Sequence, residues 1–296
     1  MTVRALYPFL SRRRAVARVV TGLACALGVV AAAACAATDE PPRGTASEHR
    51  AEPAAVLRPT PGMGFDYQIG GGYAPPSGVE AVSRDREDEP ADGLYNVCYV
   101  NAFQTQPGAL KWWEETEPDL LLRDGEGEPV IDEGWDEVLL DTSTAAGRTR
   151  LAEIVGEWID GCAESGFQAV EPDNLDSYER SQGRLTQAHN AAFAAMLAER
   201  AHDAGLAIGQ KNTTDLLPRH TTIGFDFAVT EECAQFDECD AYAEAYDGRV
   251  FGIEYEGEGD VGFAESCSTW GDRISLVLRD LDVLPAGEEG HVYRAC

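Results

Sequence analysis

G-F-Q-A-V-E-P-D-N-L-D-S-Y, residues 166–178, is the stretch from which the rest of the chain is best read. A short apolar run, residues 167–170, passes without a break into Glu171, Asp173 and Asp176, the order expected where a buried strand ends at a site. Side chains alternate along a strand, so Ala169, Glu171 and Asp173 share one face and Val170 and Pro172 the other. Two acids on one inner face are costly without partners or a ligand. The same local pattern also suits an N-cap, with Asp173 or Asn174 capping a following helix, so the surrounding chain has to decide.

Outward from this stretch the pattern repeats. Short apolar runs ending in polar residues occupy 65–69, 94–100, 137–140, 169–171, 207–210, 227–230, 250–253 and 275–278. Between them lie helical stretches. In 186–204, Ala192, Phe193, Met196, Leu197 and Ala201 recur at helical spacing before Gly205; in 148–163, Leu151, Ile154, Val155 and Trp158 do the same before Gly166. Eight β-α units within residues 62–296 predict an α/β fold, a single (β/α)8 TIM barrel, with an open doubly wound sheet as the rival. No G-x-G-x-x-G or Walker-type loop follows the first strand, which counts against a nucleotide-binding sheet.

Residues 1–35 read as a signal peptide. Arg4, Arg12, Arg13, Arg14 and Arg18 precede an apolar run over 19–34 that is short for a membrane span. Cys35 follows four alanines, so lipidation of Cys35 and anchoring to the outer face of the cell membrane are expected, with ordinary cleavage after Ala36 as the competitor. Residues 36–61, rich in Pro, Ala, Glu and Arg without an apolar face, are expected to be a disordered tether. Removing the five leader arginines from 23 basic residues leaves 18 against 52 acidic ones, a formal charge of −34. Such a surface makes nucleic acid and anionic lipid poor partners and would attract a cationic substrate, though on its own it is equally what solubility in an Arg-over-Lys composition produces. Six cysteines follow Cys35, pointing to three disulfides in an exported protein. Cys233 and Cys239 are close enough to clip one loop, and Cys267 with Cys296 ties down the C-terminus, leaving Cys98 with Cys162. Without paired C-x-x-C spacing, and with scattered histidines, neither a metal site nor a cofactor is expected.

In a barrel the site is assembled at the C-terminal ends of the strands. Those ends carry Asp66 and Gln68, Tyr99 and Asn101, Asp141, Asp173 with Asn174, Lys211 and Asn212, Glu231 and Glu232, Glu254 and Glu256, and Arg279 with Asp280. Lys211 is one of only two lysines, the other being Lys111 beside Trp112 and Trp113. Trp112, Trp113 and Trp135 are candidates either for stacking on sugar rings or for the core. Two acids on different strand ends, without a metal or nucleophile motif, point to glycoside hydrolysis: one carboxylic acid protonates the leaving oxygen, the other acts as nucleophile or activates water. Asp173 and Glu231, on the fourth and sixth strands, are the expected pair.

Together the motifs F-D-Y-Q-I-G (65–70), Y-V-N-A-F (99–103), L-L-D-T-S (139–143), E-P-D-N-L-D (171–176), Q-K-N (210–212) and D-F-A-V-T-E-E-C (226–233) resemble glycoside hydrolase family 114, the endo-α-1,4-polygalactosaminidases and relatives. The resemblance spans almost the whole domain in order. It implies a (β/α)8 barrel that cleaves α-1,4-linked galactosamine polymers, cationic or partly deacetylated, with Asp173 and Glu231 as the catalytic acids. Asp66, Gln68, Tyr99, Asn101, Asp141, Glu171, Asn174, Asp176, Lys211, Asn212, Glu232, Glu254 and Glu256 are the expected substrate-binding residues. The alternatives are a carbohydrate-binding lipoprotein on a barrel without catalysis and a hydrolase of neutral α-galactosides.

Overall fold

Parallel strands β1 (Phe65–Tyr67), β2 (Ala81–Asp85), β3 (Tyr95–Asn101), β4 (Ala169–Asp173), β5 (Ala207–Lys211), β6 (Phe227–Glu231), β7 (Val250–Tyr255) and β8 (Ser275–Arg279) pair in that order. A last strand, Tyr293–Ala295, runs antiparallel to β8. At the seam, Arg279 of β8 reaches Asp66 of β1 at 3.2 Å, and the Tyr293 hydroxyl donates to the Phe65 carbonyl at 2.9 Å. The chain is thus an α/β protein with a (β/α)8 barrel. This computed structural model describes residues 56–296; the leader, Cys35 and most of the expected tether lie outside them.

Strand alternation sorts the side chains into two layers. Phe65, Tyr67, Val97, Ala169, Ala207, Phe227, Val229, Phe251, Ile253 and Val277 fill the barrel, with Phe65 stacked on Phe251 at 4.4 Å. Residues of the other parity, among them Val100, Val170, Ile208, Ala228, Leu276 and Leu278, pack outward under the helices. The helix Ala145–Ser165 buries Leu151, Val155, Ile159 and Cys162; burial stabilises by about 1.5–3 kcal/mol for each large aliphatic side chain. Its N-cap Thr144 accepts from the Gly147 N–H, and Gly166 ends it at φ 95°, where a side chain would be strained. Thr186 and His189 form a capping box at the start of Gln187–Asp203.

Two strand expectations need correction, and they cancel in the count. Residues 137–140 are not a barrel strand: Glu137–Val138 pairs antiparallel with Ile131–Asp132, forming a small hairpin in the long connection after β3. The second barrel strand is Ala81–Asp85, which the apolar pattern hides because its later positions are Ser83 and Arg84. Both are buried: Ser83 binds Glu171, and Arg84 is held by Gln68 and the carbonyls of Glu89 and Tyr73. Contacts with the barrel begin ahead of Gly62. The Leu57 carbonyl accepts from Tyr95, and Arg58 pairs at 2.8 Å with Asp226, which also meets His202 and the Ile208 N–H.

All three expected disulfides are present: Cys98–Cys162 joins β3 to the helix Ala145–Ser165, Cys233–Cys239 closes the loop after β6, and Cys267–Cys296 pins the C-terminus. Cys98–Cys162, with a sequence separation of 64, is expected to contribute most, about 4 kcal/mol by loop entropy. Guanidinium unfolding of the Cys98→Ala/Cys162→Ala pair should show the loss as a lower midpoint; an unchanged midpoint would refute this.

Candidate active site

At the C-terminal ends of the strands the barrel interior changes from apolar to charged, and one side chain organises it. Lys211, at the end of β5, is buried, and its Nζ lies 3.0 Å from Glu171 Oε1, 3.0 Å from Asp173 Oδ1 and 3.5 Å from Glu231 Oε2. Burial alone would lower its pKa, but the carboxylates of Asp173, Glu231 and Glu171 raise it well above the ordinary lysine value. It stays an ammonium. Beneath it Glu171 is wholly buried and accepts from Tyr67 at 3.0 Å and Ser83 at 2.7 Å. Burial pushes the Glu171 carboxyl up, against the lowering pull of Lys211 and the Ser83 hydroxyl.

Asp173 and Glu231 stand above this floor. Asp173 accepts from the Tyr99 hydroxyl at 2.7 Å and the Asn174 N–H at 2.7 Å. Burial works to raise its pKa, yet Lys211 and these two donors outweigh it and hold the carboxyl below the usual aspartate range. Glu231 accepts from Asn212 Nδ2 at 3.0 Å and from the Tyr255 hydroxyl, while its own N–H donates to Asn212 Oδ1 at 2.8 Å. Asn174, Asn212 and Glu232, the residues immediately after β4, β5 and β6, have φ of 65°, 46° and 57°. This left-handed turn directs the chain away at the rim, and a non-glycine residue there costs roughly 1–2 kcal/mol. Such strain concentrates at sites.

The carboxylates open into a groove. On one side it is lined by Ile69, Asp85, Tyr99, Asn101, Gln106, Asp132, Glu137 and Asp282, and on the other by Tyr178, Thr213, Asp215, Glu232, Phe236 and Glu238. Trp135, Asp176, Asn212, Glu231, Tyr255 and Leu281 belong to both halves, so the two halves meet at Glu231, with Asp173 lining the first. Trp135 is 63% exposed; Trp113, by contrast, is core, and Trp112 packs edge-on against it. Arg180 crosses one wall, 2.6 Å from Asp132 and 2.9 Å from Asp176, and donates to Asn174 at 3.1 Å.

Of the expected site residues, the structure gathers Asp173, Glu231, Tyr99, Asn101, Asn174, Asp176, Asn212 and Glu232 on the groove, with Lys211 and Glu171 beneath. Five stand apart. Asp66 and Gln68 are buried at the β1–β8 seam, with Tyr73, Arg84 and Arg279. Asp141 caps the Ser143 N–H. Glu254 has the outward parity of β7 and accepts from the Ala234 N–H, and exposed Glu256 continues that parity past the strand end. Tyr255, between them, points inward instead. Tyr67, Ser83, Tyr255, Glu137, Asp132 and Arg180 are site residues the strand-end reading missed. For Tyr67, Ser83 and Tyr255 the signal was available: each has the inward parity of its strand.

Among the described residues the one close group of metal-ligating types is Cys233, Cys239 and Glu254, and its two cysteines are joined in a disulfide. The model of glycoside-hydrolase family GH114 matches residues 46–296. Among solved structures, Aspergillus fumigatus Ega3 in complex with galactosamine is similar at 24% identity, covering 82% of this chain and 98% of that one, with a TM-score of 0.66. The glycoside hydrolase domain of PelA from Pseudomonas aeruginosa is similar at 17% identity, covering 76% and 96%, with a TM-score of 0.53. No curated protein matches the chain.

Proposed function

The chain belongs to glycoside-hydrolase family GH114, and on that premise we propose that it cleaves α-1,4-linked galactosamine polysaccharide within the chain, with Asp173 and Glu231 as its two carboxylates. The observation that carries this is the shared ammonium: Asp173 and Glu231 both lie on Lys211, at 3.0 and 3.5 Å, and line a groove whose two halves meet at Glu231. An open groove suits attack inside a polymer. The galactosamine held in the Ega3 complex supports the choice of sugar.

The chemistry follows from the surroundings of each acid. Asp173, held ionised by Lys211 and Tyr99, is the nucleophile that attacks the anomeric carbon. Glu231, positioned by Asn212 and Tyr255, protonates the leaving glycosidic oxygen, then takes a proton from the water that cleaves the glycosyl-enzyme ester. The oxygens facing Lys211 are no farther apart than those two distances end to end. That favours a retaining pair, separated by about 5–5.5 Å, over the roughly 6.5–9.5 Å of an inverting one. Export and a lipid anchor at Cys35 belong to the same proposal, supported by the basic leader and by three disulfides that require an oxidising compartment.

Glu171, Asp173 and Glu231 share one lysine, so the site has a deficit of positive charge that an ammonium-bearing sugar relieves. The expected result is a higher kcat/KM on de-N-acetylated polymer than on N-acetylated polymer. The advantage should shrink with salt as the Debye length falls from about 10 Å at 0.1 M to about 3 Å at 1 M. Equal efficiency on both polymers, with the same response to salt, would contradict the choice of an aminosugar.

A further inference from the structure

We propose that Glu137 is the specificity residue that recognises the free amino group of the substrate, its carboxylate receiving the ammonium of the sugar bound between Trp135 and Asp173. The inference rests on the proposed function and names the group within that groove that would distinguish an amine from an acetamide.

The hairpin carrying Ile131–Asp132 and Glu137–Val138 forms a wall of the groove. It is held from both sides: Asp132 accepts from Gln104 at 2.9 Å and pairs with Arg180 at 2.6 Å, and the Val138 N–H donates to Thr105 at 3.1 Å. At its turn Trp135 presents an exposed indole to the groove, a surface on which the apolar face of a sugar ring can stack. Two residues on, Glu137 lines the same groove with only 8% of its surface exposed. Its Oε2 accepts from Asn101 Nδ2 at 2.8 Å, and Oε1 has no protein donor among the described residues. Asn101 in turn accepts from Asn174, whose N–H holds Asp173, so a short polar chain ties Glu137 to the acid at the reaction centre.

The charges around Glu137 define the ligand it lacks. Asp173 faces it from β4 and Asp132 from across the hairpin; Arg180, the cation nearby, is committed to Asp132, Asp176 and Asn174. Burial therefore pushes the Glu137 carboxyl up to about 7; Asn101 and Arg180 lower it, while Asp173 and Asp132 raise it further. A ligand ammonium offsets both burial and repulsion. A neutral acetamide covers the carboxylate without supplying that charge, so this position favours the amine.

The sign of the pH dependence follows. Below pH 7 Glu137 takes up a proton and its attraction for an ammonium is lost, so KM for the amine polymer should worsen as pH falls through that value. Asp173, held below the usual aspartate range, titrates lower, and loss of the amine's own proton acts in the opposite direction on the alkaline side.

The experiment compares the full chain with Glu137→Gln on fully de-N-acetylated and fully N-acetylated galactosamine polymer between pH 5 and 8. Glu137→Gln should lower kcat/KM on the amine polymer by about 10-fold or more, mainly through KM, since a charge-assisted hydrogen bond is lost. The acetylated polymer should be affected far less, so the preference between them collapses and the KM limb near pH 7 disappears. Glu137→Asp should retain part of the preference. If Glu137→Gln fails to fold, the wild-type protein still decides: a KM limb near pH 7 on the amine polymer and none on the acetylated polymer supports the inference, and the same limb on both overturns it. A wild-type enzyme that prefers the amine polymer while Glu137→Gln keeps that preference overturns the inference alone. A wild-type protein that cleaves neither polymer overturns the proposed function and this inference with it.

Discussion

Asp173→Asn is expected to lower kcat/KM on galactosamine polymer by about 10²-fold or more, and so is Glu231→Gln, with both variants still folded. Each change keeps the side-chain volume and removes one of the three carboxylates around Lys211, which retains Glu171 and the other acid as counter-charges. The melting temperature should therefore fall less than on loss of the lysine itself, whereas in the proposed mechanism the reaction loses its nucleophile or its proton donor. The pH profile supplies a second check. Because Asp173 is held below the ordinary aspartate range and must be ionised to attack in the proposed mechanism, its acid limb in kcat/KM is expected below that range, with activity falling as pH drops through it. Loss of activity in Glu232→Gln but not in Glu231→Gln would move the second acid one residue along the chain.

Lys211→Met is expected to be the most damaging single change to both stability and activity. It leaves Glu171, wholly buried, and Asp173 facing each other without their counter-charge, and breaking a buried pair in this way costs about 3–5 kcal/mol. Where the variant folds, the acid limb attributed to Asp173 should move to higher pH, because the strongest influence lowering that carboxyl has gone. A structural role alone would lower the melting temperature without moving the limb. Lys211→Arg should not rescue: a planar guanidinium cannot replace a compact ammonium enclosed by Tyr67, Glu171, Asp173 and Glu231.

Much of this site was legible in the chain because strand alternation and strand ends are local properties. Glu171 and Asp173 share an inner face as their spacing requires, and Lys211 was conspicuous as one of two lysines. The apolar pattern still yields eight strands because the hairpin at residues 137–138 supplies an apolar run where β2, with buried Ser83 and Arg84, supplies none. Glu254 and Glu256 were assigned to the groove by nearness to a strand end, where parity would have selected Tyr255. Glu137, Asp132, Trp135 and Arg180 meet through a hairpin in one connection and a short helix in another. Such convergence depends on how long loops fold back over the barrel, which no local periodicity records.

The central claim is hydrolysis within the polymer at Asp173 and Glu231, and its most direct measurement is the release of reducing ends from de-N-acetylated galactosamine polymer, together with the lengths of the products. Internal cleavage should give new reducing ends accompanied from the start by oligosaccharides of mixed length. Saturable binding of the polymer with no new reducing ends, from protein with an intact fold, would contradict it and identify a carbohydrate-binding barrel.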